Sequence, residues 1–159
     1  MKNINLKTSV GIIGGMGPQA SAHLVKLIVD LSAKEFGAKN GDDFPEIVLI
    51  SEPIDDLSSD KKKTKKAFRV LKDKIAIFEA AKIKKISIAC NAAHLFLLKL
   101  QETISIPFVS MIEEVGVNVK NSKLKKIGIM GTPVTLRSGL YSKPLSKSNI
   151  RLISPSVSD

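Results

Sequence analysis

Val10-Gly11-Ile12-Ile13-Gly14-Gly15-Met16-Gly17-Pro18-Gln19-Ala20 is the stretch on which the fold turns. The apolar run 10–13 has strand length, the glycines supply a tight loop, and an apolar helical pattern follows from 18 to about 34. Pro18 suits the first turn of that helix, where a backbone N–H has no partner to lose. A buried strand entering a helix through a glycine loop is the start of a βα unit, and the alternation continues along the chain. Strands are expected at 47–51, 86–89 and 107–109, with helices over 61–81, 93–102 and 112–119. That order predicts an α/β fold, a parallel sheet flanked by helices.

Residues 121–125 are polar and lysine-rich, and from Lys126 the pattern begins again: a strand at 127–130, a Gly131-Thr132-Pro133 turn, a helix from about Val134 and a strand at 151–153. The repeat suggests an internal duplication. Two domains are expected, 1–121 as a first α/β unit and 122–159 as the start of an incomplete second one. Two strands are too few to bury a sheet and its helices independently. Leu136, Leu140 and Leu152 must therefore pack on the first unit, meet a partner chain or stay exposed, and the apolar surface left over points to a homo-oligomer, a dimer in the simplest case.

The single cysteine, Cys90, stands in Ser87-Ile88-Ala89-Cys90-Asn91-Ala92-Ala93-His94, where the third strand gives way to a helix. A thiol under a helix N-terminus is biased toward the reactive thiolate by the helix dipole and free N–H groups. The structural alternative is a small hydrophobe closing a buried strand. His94, four residues on, could face the same side and tune the thiol, or simply satisfy backbone or water at a helix start. His23 falls inside the first helix and reads as structural. One cysteine and no histidine cluster indicate no metal site.

Gly15-Met16-Gly17-Pro18-Gln19-Ala20 also fits the G-x-G-x-x-A form of a dinucleotide loop. That fingerprint wants an acidic residue about 20 positions further on, whereas Glu52 lies 35 positions after Gly17. The lysine and hydroxyl of a phosphate-binding P-loop are missing too. Two readings remain: a tight turn with no ligand, or a helix N-terminus whose Met16 and Gly17 N–H groups receive a small carboxylate.

Three stretches together resemble the aspartate/glutamate/hydantoin racemase superfamily, and its aspartate racemase branch most closely. They are 11–22 around the glycine loop, Ala89-Cys90-Asn91-Ala92-Ala93-His94, and Ile127-Gly128-Ile129-Met130-Gly131-Thr132-Pro133-Val134-Thr135 continuing to Tyr141. The resemblance implies a flavodoxin-like half of an aspartate racemase-type fold, with no cofactor. It implies an amino-acid racemase-like isomerase of the aspartate/glutamate type, which shuttles a Cα proton between two cysteine thiols, one from each domain. Cys90 matches the first-domain catalytic cysteine. Met16, Gly17, Ser51, Asn91, Ala92 and Thr132 match positions around the bound amino acid or dicarboxylate.

The departures from that pattern are specific. Ala92 stands where the family carries threonine, and the segment Ser51-Glu52-Pro53-Ile54-Asp55-Asp56 lacks the arginine that would pair an acidic side chain. Glu52, Asp55 and Asp56 would repel such a substrate if they faced it. The second cysteine would fall beyond Asp159, so the chain reads as truncated in its second domain. The alternative function is an inactive racemase-like protein or partner subunit that binds a small carboxylate without turnover.

Composition narrows the remaining classes. Hydrophobic residues make up 43% and charged residues 25%, ordinary for a globular protein. No apolar stretch is long enough to span a membrane and no signal-peptide pattern opens the chain, so with a lone cysteine the cytoplasm is the expected compartment. The net charge of +10 comes almost wholly from lysine. Its densest run, Lys61 to Lys66, opens an amphipathic helix whose apolar side holds Ala67, Val70, Leu71, Ile75 and Phe78, which makes it a solvated face. Stacking aromatics are scarce, and no nucleic-acid partner is expected.

Overall fold

Strand β1 (Val10–Gly14) lies inside a parallel sheet, paired on one side with β2 (Ile47–Ser51) and on the other with β3 (Lys85–Ile88). The computed structural model describes residues 8–55, 57, 60–145 and 150–155. β4 (Phe108–Val109) extends the sheet beyond β3, giving the order β2-β1-β3-β4. In register, Ile13 faces Ile50 and Ile88. These residues turn to one side of the sheet, and Ile12, Leu49 and Ser87 turn to the other.

Helix α1 (Pro18–Phe36) connects β1 to β2, and α2 (Lys61–Ala80) carries the chain back across β1 to β3. The two crossovers run in opposite directions, so right-handed connections place their helices on opposite faces. α2 buries Ala67, Leu71, Ile75 and Phe78 against Ile13, Ile86 and Ile88. Each fully buried leucine, isoleucine or phenylalanine side chain contributes about 1.5–3 kcal/mol. The N-terminus of α2 is capped by the Asp60 carboxylate, which accepts from Lys62 N at 2.7 Å, and the lysines of the first turns are exposed, as the pattern predicts.

The segment after Cys90 differs from the helix expected over 93–102. Residues Ala92–Phe96 form a 3-10 helix, followed by the short α3 (Leu97–Gln101). In an α-helix the Cys90 carbonyl would accept the His94 N–H. Here the His94 ring takes that carbonyl through Nδ1 at 2.8 Å, and His94 N donates to Asn91 O instead. The tighter i→i+3 winding follows from that competition. The thiol therefore does not sit beneath a long helix.

α4 (Met111–Asn121) is capped by Ser110, whose side chain accepts from Glu113 N. Beyond it β5 (Lys126–Gly128) and β6 (Arg151–Ile153) form a separate two-stranded parallel sheet. α5 (Pro133–Arg137) and α6 (Ser142–Leu145) lie between them in sequence. Leu145 is buried, and Pro144 packs so closely on α4 that a Cβ at Gly116 would come within 3.2 Å of it. Leu136, Leu140 and Leu152 are half-buried.

Candidate functional site

The strand order places a site before any side chain is considered. From β1 the chain moves to β2 on one side and then returns to β3 on the other, so the loops leaving β1 and β3 diverge. In open parallel sheets the crevice at such a switch point, beyond the carboxyl ends of the strands, is where ligands bind. The glycine loop leaves β1 there and Cys90 leaves β3.

The glycine loop is built for its position. Gly15 has φ of +90°, and a Cβ on it would lie 2.3 Å from the Glu52 carbonyl oxygen. Gly14 lets α1 press onto β1, because a Cβ there would lie 2.3 Å from that of Ser21. Ser21, wholly buried, donates its hydroxyl to Pro18 O at 2.9 Å and accepts from Gly15 N at 3.4 Å, tying loop and helix together. The N–H groups of Met16 and Gly17 have no partner among the described residues.

Cys90 is half-buried at the end of β3, held in line by the Ala89 N–H, which donates to Ile13 O at 2.9 Å. It opens on a cavity of about 720 Å³ bounded by α1, the end of β3, Met111 at the start of α4 and the turn Gly131–Thr135. Among the expected site residues, Met16, Cys90, Asn91, Ala92 and Thr132 line this cavity together. Gly17 and Ser51 do not, although Gly17 caps α1 beside Met16 and Ser51 pairs with Gly14 at the end of β2.

Residues not singled out as site candidates line the cavity as well: His23, Leu24 and Leu27 from α1, Asp55 and Leu57 from the loop after β2, and Thr135. His23, read as structural from its place inside the helix, is exposed and lines the cavity. A helical register with Ala20, His23, Leu24 and Leu27 on one stripe could have signalled a second face beside the one that packs on the sheet. Glu52 turns away to pair with Lys74 at 3.0 Å, and Asp56 lies outside the described residues.

The segment between β5 and β6 reaches the site through side chains. Thr132 caps α5 by accepting from Thr135 N, and the Tyr141 hydroxyl donates to Asn91 Oδ1. With Oδ1 occupied, the Asn91 amide nitrogen is left as a donor at the cavity wall. Burial raises the Tyr141 phenol above its ordinary value of 10.0, so it remains a donor at neutral pH. Burial likewise lowers His94 below its ordinary 6.5, against the opposing pull of the Cys90 carbonyl and the Glu113 charge. No group of acidic, histidine or cysteine side chains fit to hold a metal occurs among the described residues, and none of their helices is long and apolar enough to cross a membrane.

A parallel α/β sheet whose switch point presents a cysteine, an asparagine and a glycine loop to one cavity defines the class of protein. The chain belongs to the Asp/Glu/Hydantoin racemase family, whose profile matches residues 13–159. It is 29% identical over 147 residues to a broad-specificity amino-acid racemase of Bacillus subtilis, covering 91% of this chain and 63% of that protein. A glutamate racemase of Aquifex pyrophilus is 42% identical over 65 residues, 39% of this chain and 25% of that one. Among solved structures, the aspartate racemase of Picrophilus torridus superimposes with a TM-score of 0.77 at 27% identity, over 93% of this chain and 62% of that one. An aspartate racemase homologue from Pyrococcus horikoshii has the same fold, with a TM-score of 0.77 at 22% identity over 94% of this chain and 65% of that one. The chain thus spans less than two thirds of the length of these relatives.

Proposed function

We propose that this chain carries one half of a cofactor-independent amino-acid racemising site, with Cys90 as one of two acid/base thiols. The observation that carries the reading is the Cys90 thiol at the β1/β3 switch point, opening on the same cavity as Met16, Asn91 and Thr132. The substrate α-carboxylate is received by the free Met16 N–H, with that of Gly17 beside it at the N-terminus of α1, and by the Asn91 amide. The Cys90 thiolate then removes the Cα proton; the C–H electron pair stays on carbon, delocalised into the carboxylate, and sulfur becomes S–H. Inversion needs a second thiol to deliver a proton to the opposite face. Cys90 is the single cysteine of the sequence, so that group comes from outside these 159 residues.

In this reading residues 1–121 form the first domain and 122–159 begin the second, whose Thr132 turn closes the cavity. The unpaired thiol suits a reducing cytoplasm. The alternative, binding without turnover, is favoured by Ala92, which lines the cavity without the hydroxyl of a threonine. Titration of amino acids while following Tm reports binding under either reading. Cα-proton exchange with D₂O, abolished by Cys90→Ser, separates them. Exchange supports the acid/base thiol, and binding without exchange supports the alternative.

A further inference from the structure

We infer that Asp55 selects the substrate's side chain, turning away aspartate and glutamate and favouring an apolar stem that ends in a cation. This rests on the reading of the cavity as the amino-acid site. Among the described residues, Asp55 is the one carboxylate in the cavity wall, and no lysine or arginine lines it. Apart from the His23 imidazole, none of these lining side chains can carry positive charge. Asp55 is exposed and enters no hydrogen bond or ion pair among the described residues. Lys63 and Lys66 share a separate small recess with it, of about 90 Å³, without coming into ion-pair distance.

The other acidic residue described in that segment, Glu52, is already spent on Lys74. A second carboxylate entering the cavity would give up water and find repulsion in place of a counter-ion. Leu24, Leu27 and Leu57 offer a methylene stem an apolar wall, and a terminal ammonium is the group an exposed carboxylate attracts while it stays in touch with water. Because Asp55 is exposed, the preference it confers is modest, about two- to fivefold for a single solvent-exposed ion pair.

The test uses Cys90 as its own reporter. Protection of Cys90 against iodoacetamide is measured for L-lysine, L-norleucine and L-glutamate, with the unmodified chain and with Asp55→Asn. The expected order of protection is lysine, norleucine, glutamate, and Asp55→Asn lowers the lysine-to-norleucine ratio about two- to fivefold. Glutamate protecting as well as lysine overturns the inference, as do ratios unchanged by Asp55→Asn. Equal weakening of lysine and norleucine also overturns it, because Asp55 would then hold the α-ammonium common to both. Protection by none of the three overturns the reading of the cavity itself.

Discussion

His94 commits one ring nitrogen and leaves the other bare. The Cys90 carbonyl can only accept, so Nδ1 carries the proton, and Nε2 is a buried lone pair with no partner among the described residues. Protonating Nε2 would bury a cation, which is why the imidazole is held neutral below its ordinary 6.5. Below that pH the unfolded chain takes up a proton that the folded chain resists, so stability falls as pH drops from 6.5 toward the lowered value and is fully present above it. Urea unfolding between about pH 7 and pH 5.5 is expected to show this slope, and His94→Gln to flatten it; an unchanged slope contradicts the assignment. Cys90 and Asn91 were legible in the sequence because a strand end fixes where its next residues emerge. Asp55 was legible as a charge but not as a cavity residue, since only tertiary packing sends Glu52 to Lys74 and leaves Asp55 facing the site. His23 was only partly legible: its stripe with Ala20, Leu24 and Leu27 marks a second face of the helix, but not that this face lines a cavity.

The element that organises the site is the β1-loop-α1 unit. Its strand, loop and Pro18 start could be read from spacing alone, because glycine at a positive φ and proline at a first helical turn are local requirements. Gly15→Ala meets both the left-handed backbone and the Glu52 carbonyl, and is expected to cost roughly 2–4 kcal/mol in denaturant unfolding. A loss under about 1 kcal/mol, of the order of an ordinary surface change, would show that the loop relaxes freely. The stretch after Cys90 was not legible in this way. A helical apolar pattern cannot announce that the His94 ring will take the carbonyl an α-helix needs, and the 3-10 turn follows from that single side-chain bond.

For the whole molecule, the parallel sheet and the strand that begins at Lys126 follow from the alternation of patterns, but the packing of α6 on α4 does not. Leu27 and Leu31 stay 40% and 46% exposed along one stripe of α1, and Met130, next in sequence to the cavity-lining Gly131, is 89% exposed. That apolar surface is expected to drive self-association of the chain, seen as a dimer in sedimentation and shifted toward monomer by Leu31→Lys; a monomer at all concentrations contradicts it. The proposed role of Cys90 is half of a proton-transfer pair. The most direct measurement is incubation of the folded chain with single enantiomers of lysine, norleucine and glutamate in D₂O, reading Cα deuterium by NMR. Deuterium is expected at Cα with configuration retained, since one thiol reaches one face, and none with Cys90→Ser. No exchange by the folded chain, or exchange that survives Cys90→Ser, would contradict it.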